Sequence, residues 1–174
     1  MSSNEDSNKR VQALADVVRS LAGPDKVVLQ KRLGQTAITQ AQLGVRQGRD
    51  PYGKAWAPLT SRSGQPLRRT GNNIQRSWTA GGETPNTFVF GSRFKYLATH
   101  QYGALILPKS GNWRRRLRFR TETSGLVYAR EVTIPQRQLV PEKDTGGLGA
   151  EWLKAFEATV RRYIEEKMKK AGVA

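Results

Sequence analysis

Cysteine is absent from all 174 residues and histidine occurs once. Without thiolates, the chain has no disulfide, no thiol nucleophile and no zinc site built on sulfur. That absence also suits assembly in a reducing cytoplasm. No apolar run approaches the roughly 18 residues that a membrane-spanning helix requires, so no membrane partner is expected. The opening MSSNEDSNKR is polar, with no apolar stretch behind it, which argues against a secretory leader.

Acidic residues are scarce in one place only. Between Lys26 and Pro141 stand 20 Lys and Arg but four acids, namely Asp50, Glu83, Glu122 and Glu131, while the two ends together hold ten of each sign. The whole +16 excess therefore lies in the centre of the chain. Such a centre implies an anionic neighbour, either DNA or the acidic surface of a partner protein. A solvated basic surface with no dedicated ligand is the plain alternative. With 37% hydrophobic residues and a mean hydropathy of −0.63, the chain supports a modest core beneath a large polar surface.

Catalytic patterns are missing as well. His100 is the only histidine, and no carboxylate stands at a spacing that would orient it as a base. Clustered metal ligands, a GxxxxGK[ST] phosphate loop and a GxGxxG turn are all absent from the sequence. The chain is expected not to be an enzyme and to use no cofactor, with His100 in a structural, hydrogen-bonding role at a helix end.

Helical spacing places Val11, Leu14, Ala15, Val18 and Leu21 on one face over residues 8–22. Gly23-Pro24-Asp25 breaks that helix. A second helix is predicted over 26–47, with Leu29, Leu33, Ala37, Ala41 and Val45 in a stripe; Gly34 and Gly44 each weaken it by about 1 kcal/mol relative to Ala, so packing must sustain it. Residues 48–70 contain three Pro and three Gly, with a turn at Asp50-Pro51-Tyr52-Gly53. Tyr52, Trp56, Pro58 and Leu59 are expected to fold back over the core. A short helix is predicted over 72–78, a hairpin from 78–80 and 87–90, and a helix over 94–102. Strand pieces follow at 104–107, 117–120 and 126–134. The clearest element is a helix over 151–170, with Trp152, Phe156, Val160, Tyr163 and Ile164 on one face and Lys167, Lys169 and Lys170 near its C-terminus. This order indicates an α+β fold, a small, mostly antiparallel β-sheet packed by helices, with N-terminal helices and a long C-terminal one. Residues 1–24 read as a helical arm, and 25–174 as a single domain elaborated by a basic β-loop at about 104–134.

Residues 112–120 hold five Arg and two aromatics. In strand geometry Arg116, Arg118 and Arg120 face one side, with Leu117 and Phe119 on the other. Together with Arg114 and Arg115 they form a guanidinium stripe suited to DNA phosphate or to partner carboxylates. A strand edge guarded by charge against aggregation is the alternative.

Four segments in order resemble the phage virion morphogenesis family, which includes tail completion proteins. Asp50-Pro51-Tyr52-Gly53-Lys54-Ala55-Trp56-Ala57-Pro58-Leu59 is similar to its P-x-G-x-x-W-x-P-L segment. Leu67-Arg68-Arg69-Thr70-Gly71 with Ser77 resembles L-x-x-T-G-x-L-x-x-S, with Asn73-Ile74 standing where the second Leu is expected. Val89-Phe90-Gly91-Ser92, then Tyr96-Leu97-Ala98-Thr99-His100-Gln101-Tyr102-Gly103, resembles V-x-G-S followed by Y-A-x-x-H-Q-x-G. Ile134-Pro135-Gln136-Arg137 is similar to the start of I-P-A-R-P-F-L-G, though Gln138-Leu139-Val140-Pro141 replaces its ending. The agreement covers roughly residues 25–170. The resemblance implies a structural protein of a tailed phage virion, a sixfold ring of identical copies at the neck or tail terminus. Its neighbours would be neck, connector or tail-tube proteins, with non-specific contact to passing DNA. Tyr52, Trp56, Tyr96, His100 and Tyr102 are then framework or subunit-interface positions, and the five arginines contact the lumen or a partner. A non-specific DNA-binding protein acting through the arginine stripe is the other reading.

Overall fold

The computed structural model describes residues 11, 12, 15, 16, 19, 23, 25–59, 63–67, 73–84, 86–109, 116–121, 124–142 and 147–172. Besides helical positions before residue 20, four helices are delimited within them, α1 (Asp25–Gln47), α2 (Asn73–Arg76), α3 (Leu97–Tyr102) and α4 (Ala150–Lys170). Six strands lie between α2 and α4, two before α3 and four after it: β1 (Trp78–Gly81), β2 (Val89–Ser92), β3 (Ala104–Ile106), β4 (Leu117–Thr121), β5 (Gly125–Ala129) and β6 (Val132–Ile134). The fold is α+β as expected, and its β part takes the form of three two-stranded ladders, β1 with β2, β3 with β6 and β4 with β5. Of the helix expected over 8–22, the described positions 11, 12, 15, 16 and 19 are helical, with Asp16 paired to Arg19 at 2.9 Å. The rest of that segment lies outside the described residues.

Two compact units share the chain. The first comprises residues up to 40, 79–91 and 152–174. Here α1 runs beside α4. Thr36 and Thr159 share a hydrogen bond of 2.8 Å, and Arg32 pairs with Glu166 at 2.7 Å while its guanidinium lies over the buried Tyr163 ring. Gly34 is a packing surface here and not merely a weak point in the helix. A Cβ on it would stand 3.0 Å from that of Ala80. Phe88, Phe90, Trp152 and Phe156 make a ring-to-ring cluster with centroids 6.0–6.4 Å apart, which docks β2 on α4.

The second unit comprises 41–78 and 92–151. Its core includes Ala41, Val45, Trp56, Ile74, Trp78 and Leu139. Three boundaries depart from the sequence reading. The helix expected to reach Trp78 ends at Arg76, and Trp78 opens β1, where the hairpin strand is expected to begin. The helix stops where Ser77 Oγ donates to the Ile74 carbonyl at 2.8 Å, and strand pairing takes over. The helix expected from 94 starts at 97, because a turn in which Leu97 N–H donates to Phe94 O comes first. The single strand expected over 126–134 is interrupted at 130–131, since β5 and β6 pair with different partners.

Candidate functional site

Of the segments that carry the family-like motifs, residues 50–59, 77, 92–103 and 134–142 lie in the second unit, 89–91 belong to the first, and 68–71 lie outside the described residues. α1 ends at Gly48, whose φ of +70° suits glycine, and its carbonyl accepts from Trp56 N–H at 2.8 Å. The carboxylate of Asp50 accepts from the backbone N–H groups of Tyr52 and Lys54 at 2.9 and 2.8 Å, which fixes the turn. This turn delivers Trp56 into the core, where its indole Nε1 donates to the Gln138 carbonyl at 3.2 Å. Tyr52 reaches the same segment: its hydroxyl accepts from Glu142 N–H at 3.2 Å and lies 3.1 Å from the Gly147 carbonyl. Pro51 and Trp56 are buried, whereas Pro58 stays exposed, so only part of the loop folds back as expected.

Gln101 completes the arrangement from α3. It is 3% exposed and uses both ends of its amide. Its oxygen accepts from Leu139 N–H at 2.7 Å and Val140 N–H at 3.1 Å, and its nitrogen donates to Val140 O at 3.0 Å and Glu142 Oε1 at 2.7 Å. An irregular stretch over 138–142 is thus held as though it were paired in a sheet. Gly103 follows with a φ of +75° and approaches residues 134–136 so closely that a Cβ would sit 3.1 Å from Ile134 O. Ser77 and Ser92 close the set, with hydroxyls 2.5 Å apart. Gly149 touches the Pro51 carbonyl, leaving no room for any side chain. The motifs are joined to one another by hydrogen bonds.

His100 lies in the last turn of α3, the helix end expected for it, but the hydrogen-bonding role expected of its side chain is not met at Nδ1. Its ring stacks on Phe94 at 6.3 Å and 10°, its Nδ1 is buried with no partner among the described residues, and its carbonyl accepts from Arg137 N–H at 2.6 Å. Burial, and after it the charge of Arg137, lowers its pKa below 6.5. Arg137 is itself 5% exposed, and burial lowers its pKa too. The other two tyrosines take no part in the core: Tyr96 is 50% and Tyr102 67% exposed. Sequence reasoning named Tyr52, Trp56 and His100 but missed Gln101, Arg137 and Gly149. The nearest signal for Gln101 and Arg137 was their place within the motif segments.

Arg114 and Arg115 lie outside the described residues. Arg116, Arg118 and Arg120 are exposed, and along β4 Leu117, Phe119 and Thr121 alternate with them as half-buried positions. Arg118 stands opposite Tyr128 and Arg120 opposite Leu126, so one hairpin face mixes guanidinium groups with exposed apolar side chains. More exposed apolar residues follow on and beside β3, at Leu105, Ile106 and Leu107. In the first unit an open groove of about 480 Å³ runs along α4 between Phe156, Val160 and Ile164, edged by Glu157, Arg161 and Glu165. No group of acids and histidine able to hold a metal occurs among the described residues. No helix among them is long and apolar enough to cross a membrane.

The model of the phage virion morphogenesis family matches residues 6–165. That span takes in most of the N-terminal segment that the motif comparison left aside. Neither a curated protein nor a solved structure matches the chain.

Proposed function

The chain belongs to the phage virion morphogenesis family, and we propose that it is a structural protein of a tailed bacteriophage that forms a ring at the neck or tail terminus, completing the tail and joining it to the head. The observation that carries this reading is the exposed apolar surface of the second unit. Tyr96, Tyr102, Leu105, Leu107 and Tyr128 are each at least half exposed. Aromatic and aliphatic residues left open around a rigid hydrogen-bonded cluster are the makings of a protein interface. The α4 groove supplies a second apolar surface of different shape, and two unlike surfaces are what a head-to-tail contact needs to close into a ring. The role requires no catalysis, consistent with motif residues that act on backbone groups. Deleting the gene is expected to leave filled heads and separate tails in the lysate. Purified wild-type virions should contain the protein in a fixed copy number, and virions without it would overturn the reading.

The exposed Arg116, Arg118 and Arg120 favour a second reading, non-specific DNA binding. The two are compatible if the hairpin lines a channel. Arg-to-phosphate contacts predict an affinity that falls steeply with salt and is indifferent to sequence. Purified protein with no affinity for duplex DNA at low salt would remove this second reading.

A further inference from the structure

Arg137 and His100 are adjacent through a 2.6 Å backbone hydrogen bond, and each holds a buried ring or guanidinium nitrogen, Nδ1 and Nε, without a partner among the described residues. A cation 5% exposed with no counterion among the described residues is costly, because it forfeits hydration without a compensating charge. Asp50 caps its own turn and Glu142 accepts from Gln101, while the ion pairs among the described residues are Arg19–Asp16 and Arg32–Glu166. With 20 basic residues against four acids between Lys26 and Pro141, this part of the chain has little to offer Arg137 from its own composition.

We propose that Arg137, with His100 beside it, is a receptor for a carboxylate brought by a neighbouring protein subunit. The guanidinium fork matches the two oxygens of a carboxylate. A duplex phosphate backbone is too bulky to enter so enclosed a position. The cost of the buried charge in the isolated chain is recovered on assembly, which makes the contact conditional on the neighbour. This rests on the structural-assembly reading above.

Arg137→Met keeps the aliphatic bulk and removes the charge. The purified variant is expected to melt roughly 2–8 °C above wild type, since an uncompensated buried charge has been replaced by an apolar side chain. Sodium acetate, compared with sodium chloride at equal ionic strength, should raise the melting temperature of wild type and leave that of the variant unchanged. In a phage deleted for the gene, the folded variant should enter purified particles at least about ten-fold less than wild type supplied in the same way. A variant that melts below wild type, keeps the acetate shift or enters particles normally would overturn the proposal. If wild type itself is absent from particles, the assembly reading fails, and the two melting comparisons then decide the carboxylate site alone.

Discussion

Gln101 binds residues 139–142 with four hydrogen bonds, from a helix of only six residues. Gln101→Ala strands the buried Leu139 N–H and frees the rest of the segment, at a cost of about 2–3 kcal/mol. For a chain of this size the melting temperature should fall by roughly 4–12 °C, readable by thermal denaturation. Gly149→Ala forces a methyl group onto the Pro51 backbone and should cost about 1–3 kcal/mol or more, with the turn at Asp50 the first element to loosen in hydrogen exchange. His100 gives a pH dependence of known sign. Its folded pKa lies below 6.5, so the unfolded chain takes up the proton first as pH falls, and stability declines from that point down to the folded value. The melting temperature of His100→Gln should vary less than that of wild type between about pH 7 and 5.

At the scale of elements, the β4–β5 hairpin is the one whose sequence reading was most detailed. Alternation in Leu117-Arg118-Phe119-Arg120 was enough to separate its two faces, because a strand has a period of two residues. Replacing Arg116, Arg118 and Arg120 together by Gln should reduce the salt dependence of DNA binding by about three phosphate contacts' worth, leaving the fold intact, as measured by titration across salt concentrations. The long helices were equally legible, since the apolar stripes of α1 and α4 persist over several turns. Short elements were not. Asn73–Arg76 and Leu97–Tyr102 each form within a few residues, and a serine hydroxyl or a preceding turn decides where they begin or end. Spacing alone cannot register such local hydrogen bonds.

At the scale of the molecule, surface and core respond to different demands. Motif residues scattered from Asp50 to Glu142 form one hydrogen-bonded cluster, while large apolar side chains remain outside it. A ring built from copies of the chain should bury Tyr102 and Leu105. Changing both to Asp is expected to leave the melting temperature within about 1 kcal/mol equivalent of wild type, yet to abolish its incorporation into particles. Normal incorporation would show that this surface faces solvent in the virion.

The sequence by itself determined the α+β class, the two long helices, the basic centre and the alternation of the arginine strand, because each depends on composition or on a short fixed period. It also carried the family resemblance that the family match bears out. Only the tertiary structure decided what those motifs do for one another. Tyr52, Trp56 and Gln101 act on backbone groups between 38 and 95 residues away, contacts with no signature along the chain. The structure likewise left Arg137 buried without a counterion among the described residues, which charge counting cannot reveal, since burial depends on what packs around a group and not on its neighbours in sequence.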